Sequence, residues 1–345
     1  MKKIVIMLCV LAVLGAAGSA VYFSRAGQDM LFSNTVGAML SRTPNTFDGL
    51  RVVVCGSASP LGATTRAQAC IMVVTPRHLF LFDVGARSPM RLNQAQAPLG
   101  RLDAVFITHY HSDHISGLPD VNLASWVQGR PGPLEVYGPP GIERVIGGFN
   151  QAYELDRGYR TAHHGAELLP PKNGPMQPVT IPVEGVVWED DELTVRSFVV
   201  EHDPISPAVG YRVDYQGRSV VISGDSNAVD SLFAAAQDAD LLLHDALSRA
   251  LLDPMIEAAK AQNIPVLPVI MHDVIDYHAA TTTLPDRARE AGVKQLAFYH
   301  LVPVPPMDLA ERIFMRDMPD DVILTNDLHT FDLPSGSSEI IIHEP

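Results

Sequence analysis

Cysteine is nearly missing from this chain of 345 residues: there are three, and Cys9 lies in an apolar leader at the start. A disulfide-dense scaffold is therefore excluded, and Cys55 and Cys70 can form at most one bridge. Both fall on consecutive strand-like runs, where a bridge and two buried free thiols fit the sequence equally well. Clustered positive charge is missing as well. The 25 Lys and Arg are outnumbered by 39 Asp and Glu, for a formal net charge of −14, and no run of Lys or Arg occurs after residue 3. Affinity for a phosphate backbone is built from clustered cations, so this balance argues against a nucleic-acid partner. Low-complexity tracts are absent too. With 47% hydrophobic and 19% charged residues the chain can bury a full core, and its length suits one globular domain.

What is present begins with the leader. Met1-Lys2-Lys3 precedes an uncharged apolar run from Ile4 to Phe23 that ends among small residues, including Gly18-Ser19-Ala20. This is the pattern of an export signal with a small-x-small cleavage site. The run is also long enough to cross a bilayer as one helix, so residues 1–23 read either as a cleaved signal peptide or as an uncleaved membrane anchor. Both place the remainder in the periplasm, free or tethered to the inner membrane. Residues 24–48 read as a linker or short helix, with Met30, Leu31, Val36, Met39 and Leu40 at helical spacing and Pro44 ending the pattern. Residues 49–345 form the predicted domain.

Within it, apolar runs bounded by turn residues predict strands at Leu50 to Cys55, Ala69 to Val74, Leu79 to Phe82, Ala104 to Ile107, Leu193 to Val200, Val220 to Asp225 and Leu296 to His300. Alternation with helical stretches makes the class α/β. The most informative stretch is Thr108-His109-Tyr110-His111-Ser112-Asp113-His114, directly after the fourth of these strands. Three imidazoles and a carboxylate on a loop leaving a strand are the ligand types that zinc takes, and the mixed N/O set also suits manganese or iron.

His109-Tyr110-His111-Ser112-Asp113-His114 matches the HxHxDH signature of the metallo-β-lactamase-fold hydrolases. Leu134-Glu135-Val136-Tyr137-Gly138-Pro139, Gly210-Tyr211-Arg212-Val213 and Ser223-Gly224-Asp225-Ser226 resemble the ribonuclease Z branch, which also includes secreted arylsulfatases. The resemblance implies a four-layer αββα sandwich and two divalent metal ions, zinc first, with manganese or iron as alternatives. It implies that His109, His111 and His202 hold one ion, Asp113, His114 and His300 the other, and that Asp225 bridges them. Asp83, in Asp83-Val84-Gly85, becomes a carboxylate that orients the ligand loop without touching metal. His244-Asp245-Ala246 is similar to the branch's His-Glu-Ala-Thr loop, with a shorter acid. His278, which the sequence places at the start of an amphipathic helix through Glu290, is expected to protonate the leaving group, with Asp245 orienting it. Asp113, His278 and Asp245 thus make up the implied catalytic set.

The implied activity is hydrolysis of a small phosphodiester or sulfate ester by a water activated between the ions. Ribonuclease Z grips transfer RNA with a long arm between the Gly-Tyr-Arg and Ser-Gly-Asp motifs. Here only Asp214 to Ser219 separates Val213 from Val220. A transfer RNA 3′ endonuclease, a lactonase or β-lactamase-like hydrolase, and a non-catalytic metal-binding receptor are the alternatives. The expected partner is a small ester, with the membrane added if the leader is uncleaved; oligomeric state is left open. A helical lid is expected between Gly141 and Pro171, with His163 and His164 either touching substrate or simply solvated. His272 and His329 read as structural.

Overall fold

The computed structural model describes residues 19, 21–40, 47–62 and 64–345. The leader read at 1–23 lies mostly outside the described residues, and among those described no helix is long and apolar enough to cross a membrane. The chain divides into two compact units, Met1–Thr46 and Phe47–Pro345. The first contains the helix Arg25–Leu40 where a short helix was expected.

The second unit is built on fifteen strands. They are β1 (Gly49–Gly56), β2 (Cys70–Val74), β3 (Leu79–Phe82), β4 (Ala104–Phe106), β5 (Leu134–Gly138), β6 (Met176–Thr180), β7 (Gly185–Glu189), β8 (Leu193–His202), β9 (Ile205–Tyr215), β10 (Arg218–Ile222), β11 (Leu241–Leu247), β12 (Gln295–Val302), β13 (Ile323–Leu324), β14 (Thr330–Pro334) and β15 (Ile341–His343). An eight-stranded sheet runs in the order β15-β14-β1-β2-β3-β4-β5-β6, and a seven-stranded sheet in the order β13-β12-β11-β10-β9-β8-β7.

Strand alternation sorts side chains between layers. From β1, Leu50, Val52 and Val54 enter the core between the sheets with Phe80, Phe82, Phe106, Tyr211 and Tyr299. Val53, Cys55, Leu79, Leu81 and Val105 face the other way, against Leu118 and Val121 of the helix Leu118–Val127 and Ile142 and Ile146 of the helix Ile142–Ala152. The second sheet is covered in turn by Leu232, Phe233, Leu284, Ala288 and Phe314, from three further helices. The result is the four-layer αββα sandwich. Phe106 stands in the middle, its ring 5.0 Å from Phe82 and 5.6 Å from Tyr211. Truncating so buried a ring costs about 3–5 kcal/mol. It also anchors the loop that follows, since the Tyr211 hydroxyl donates to the Ile107 carbonyl at 2.7 Å.

Cys55 and Cys70 are bridged across β1 and β2, closing a separation of 15 residues. Closing a loop of that size contributes on the order of 3 kcal/mol through the unfolded chain. One local reading needs correction. No helix starts at His278: the helix is Leu284–Glu290, with Pro285 in its first turn. Residues 279–281 instead hydrogen-bond to the end of β11, with Leu247 N donating to Ala279 O at 2.8 Å and Thr281 N to Leu247 O at 2.9 Å. β9 runs through Pro207. The β8–β9 register shifts between Val200 and His202, so a residue without an N–H is accommodated there.

Candidate metal centre

The loop after β4 is held from both sheets. Val209 N donates to the Thr108 carbonyl at 3.1 Å. Asp83, at the end of β3, accepts from Thr108 N at 2.9 Å and from Thr108 Oγ1 at 2.8 Å. The chain then turns into the short helix Ser112–Ile115, which buries Asp113 and His114. Gly85 allows this close approach, because a Cβ there would lie 2.1 Å from the Asp113 carbonyl oxygen.

The second sheet supplies the rest. His202 is the last residue of β8, and Asp225 follows β10 through Gly224, whose φ of +64° suits glycine and whose missing Cβ would press within 3.0 Å of Thr108. His300 is the extra residue of a bulge. Asp245 pairs with Tyr299 and Ala246 with Leu301, which leaves His300 between them at φ 44°. A bulge re-aims one side chain out of the strand's alternation, and here it turns an imidazole toward the ligand loop.

Seven side chains thereby form two groups that share Asp225: His109, His111 and His202 with Asp225, and Asp113, His114 and His300 with Asp225. Within each group the candidate ligand atoms lie within 4.8 Å of one another. His109 Nε2 is 3.0 Å from His111 Nδ1, which is 3.3 Å from His202 Nε2. Asp225 Oδ2 is 3.3 Å from His114 Nε2, while its Oδ1 is 3.3 Å from His300 Nδ1. His300 Nε2 is 3.0 Å from Asp113 Oδ2.

The outward nitrogens of three of these rings are already engaged. His114 Nδ1 donates to Asp83 at 2.8 Å, His109 Nδ1 to Thr108 Oγ1 at 3.1 Å and His202 Nδ1 to the Tyr277 carbonyl at 3.1 Å. Such bonds fix the tautomer and leave Nε2 bare toward the centre. His114 Nε2, His300 Nδ1 and Asp225 Oδ1 are buried with no hydrogen-bond partner. Buried acceptors facing one another without donors are unfavourable unless a cation lies between them, so the donor set fits two divalent ions.

The electrostatics agree. Burial pushes His109 well below the ordinary imidazole range, aided by His114, and burial also lowers His111 and His202. Burial alone would raise the Asp113 and Asp225 carboxyls, but the neighbouring histidines hold both below the usual carboxylate range. Against the lowering effect of burial, the carboxylates around His114 and His300 raise both rings, and a cation can take the place of those protons.

A cavity of about 230 Å³ opens beside these groups, lined by His111, Asp113, Asp225, His278 and His300 on one side. His278 Nδ1 donates to Asp245 Oδ2 at 2.7 Å. The shorter acid therefore reaches its partner. The other carboxylate oxygen of Asp245 is 3.0 Å from His244 Nδ1 and accepts from Ser226 N at 3.2 Å, so Asp245 is held from several directions.

The loop after β1 also lines the cavity, through Ser59, Pro60 and Leu61. Ser59 Oγ donates to Leu301 O at 2.7 Å and Leu301 N to Ser57 O at 3.0 Å, so this loop brackets the His300 bulge. Both ends of the loop are held by Asp327, which accepts from Ser57 N at 3.0 Å, Ser57 Oγ at 2.8 Å, Ala67 N at 2.7 Å and Arg91 Nε at 2.7 Å. No local signal marks Asp327 or the Tyr277 carbonyl, since both act through distant backbone.

The remaining histidines stand apart. His163 and His164 are exposed at the end of the helix Glu154–His164 and contact each other, with ring centroids 4.7 Å apart. His329 Nδ1 accepts from Asn326 N at 2.8 Å, and His272 borders a different recess beside Ile256 and Pro268.

Comparison with known proteins gives the chain its relatives. Ribonuclease Z of Mycobacterium sp. (strain KMS) is 32% identical over 292 residues, covering 83% of this chain and 97% of that protein. Ribonuclease Z of Mycolicibacterium gilvum (strain PYR-GCK) is 34% identical over 257 residues, 74% of this chain and 85% of that protein. Among solved structures, the short form of human tRNase Z superposes with a TM-score of 0.56 at 21% identity, covering 82% of this chain and 99% of that one. A diphosphatase from the PhnP family superposes with a TM-score of 0.57 at 18% identity, covering 85% and 100%. Residues 63–261, more than half of the chain, match the family model for the metallo-beta-lactamase superfamily, and the protein belongs to that superfamily.

Proposed function

We propose that this protein is a dinuclear metal-dependent phosphodiesterase acting on a small ester outside the cytoplasm. The observation that carries the reading is the pair of ligand groups meeting at Asp225, with the His278–Asp245 pair across the same cavity. Two divalent ions there, zinc by the donor set, would when bound acidify a water between them and offset charge on the phosphoryl oxygens. The chain's own residues do the rest. Asp225 ties the two halves together, and Asp83 keeps His114 aimed inward. Asp245 holds the Nδ1 proton of His278, so that Nε2 faces the cavity and can pass a proton to the leaving oxygen.

Relatives named ribonuclease Z at 32–34% identity favour a phosphodiester over a sulfate or a lactone. They also support a second reading, an RNA substrate. Against it stand the net charge of −14 and the β9–β10 connection, a two-residue turn at Gln216 and Gly217, both with positive φ, where the resemblance places an RNA-gripping arm. Export is supported by the apolar leader and by the Cys55–Cys70 bridge, since disulfides persist in oxidising compartments.

Metal-loaded protein tested on an aryl phosphodiester, an aryl sulfate, a lactone and a transfer RNA precursor should turn over the phosphodiester fastest. Preferential cleavage of the precursor at its 3′ side would replace the small-ester reading. Two bound ions with no turnover on any of them would make the protein a metal-binding receptor. Recovery of a tagged chain entirely in the cytoplasm would remove the export reading.

A further inference from the structure

We infer that the ester taken by this site carries, on one arm, a compact uncharged apolar group of about one ring. The inference rests on the phosphodiesterase reading above and narrows it. The cavity is two-faced. Besides the ligand groups, its lining includes Leu61, Val274 and Val302. These belong to a packed apolar layer with Leu247, Leu252, Ile256 and Met271, where Val302 is 1% and Val274 7% exposed. A wall backed by that layer cannot swing aside to admit a polar group, and a polar group left against it would lose its water without gaining a partner.

Charge points the same way. Among the described residues no Lys or Arg lines the cavity, so a second phosphate, as in a nucleotide chain, would find no cation among them beside the metal centre. Size sets the upper limit. An apolar cavity of about 150 Å³ holds a benzene ring. Here about 230 Å³ must take the apolar arm together with the reacting phosphoryl group. One ring or a short alkyl chain fits within that volume beside the phosphoryl group, whereas a fused ring system or a nucleoside would project beyond it.

The test uses the full chain loaded with zinc and a set of phosphonates: ethyl, butyl, phenyl, 2-naphthyl and a nucleoside 5′-phosphonate. Their dissociation constants are measured by calorimetry. Burying each added methylene is worth about fourfold in affinity, so binding should tighten from ethyl to butyl. It should be best for phenyl, and fall about tenfold or more for naphthyl and the nucleoside. Val274→Ala should restore naphthyl binding relative to phenyl. Leu61→Ala, in a half-buried loop position, reads the same effect if the first variant fails to fold.

Equal affinities across the series, absence of binding, or a nucleoside phosphonate bound as tightly as phenyl would overturn the inference. The size trend with no turnover on any ester would leave the recess assigned and remove the phosphodiesterase reading. Turnover with a flat series would do the reverse.

Discussion

β3 is four residues long, and a histidine–carboxylate pair closes each of its ends. At its start, His78 lies 2.9 Å from Asp190 through Nε2 and 3.7 Å from Asp103 through Nδ1, with its ring stacked on Phe80. At its finish, Asp83 takes Nδ1 of His114 at 2.8 Å. Both histidines are buried, at 8% and 0% exposure. What separates them is where the second ring nitrogen goes. His78 has a carboxylate at each nitrogen, so it ties the β2–β3 hairpin to the β7–β8 hairpin and nothing more. His114 leaves Nε2 without a donor or acceptor among other bare nitrogens and oxygens. Burial does not mark a metal ligand; at His114 the mark is an engaged outer nitrogen together with an inner one that faces other candidate ligands.

The contrast can be broken most severely at Asp225. Asp225→Ala should empty both halves of the centre, taking zinc from two per chain to well below one by elemental analysis and abolishing turnover. Metal content that stays at two would deny the bridge. His278→Ala should keep both ions, because its Nδ1 is committed to Asp245 and it clusters with Asp245 and His300, not in either of the two groups that share Asp225. Activity should fall by about 10²–10⁴ on an alkyl ester and far less on a nitrophenyl ester, whose leaving group needs no proton. Equal losses on the two would exclude proton delivery, and lost metal would make His278 a ligand.

At the finish of β3, Asp83→Ala should weaken zinc affinity by about 10–100-fold in a chelator competition, the usual effect of removing a carboxylate that orients a ligand. An unchanged affinity would reduce Asp83 to a loop tether. The smallest effect belongs to the start of β3. His78 is raised above its ordinary value by the neighbouring Asp103 carboxylate, against the opposing effect of burial and with help from Asp190. A group raised in the folded state stabilises fully below its unfolded pKa, near 6.5, and loses that contribution as pH climbs through the folded value. His78→Ala should therefore cost about 1.5–3 kcal/mol at pH 6 and less at pH 9, with metal content untouched. A larger loss at pH 9 would contradict the assignment.

Much of the ligand loop could be read beforehand because its chemistry is local: three imidazoles and Asp113 fall within six residues after an apolar strand. β3 was equally plain, a wholly apolar run with turn residues at both ends. Asp225, His202, His278 and His300 came from resemblance, since a single acid or imidazole at a strand end carries no signal of its own. What stayed hidden was backbone geometry. The bulge that turns His300 inward appears only when β12 is laid against β11. The start of the helix after His278 was misplaced because hydrogen bonds to Leu247, far away in sequence, claim residues 279–281. β14 could not be placed beside β1 from sequence, because pairing partners that far apart leave no periodic trace.

The reach of Asp327 has a consequence in time. It is joined to Ala67 and Ser57 across 260 and 270 positions, and every candidate ligand precedes it in the chain. A nascent polypeptide that has just emitted His300 already carries all seven metal-binding side chains, yet the strap that seats the outer wall is still unmade. A product truncated just before residue 327 would carry every candidate ligand but lack the strap that joins Ser57 to Ala67.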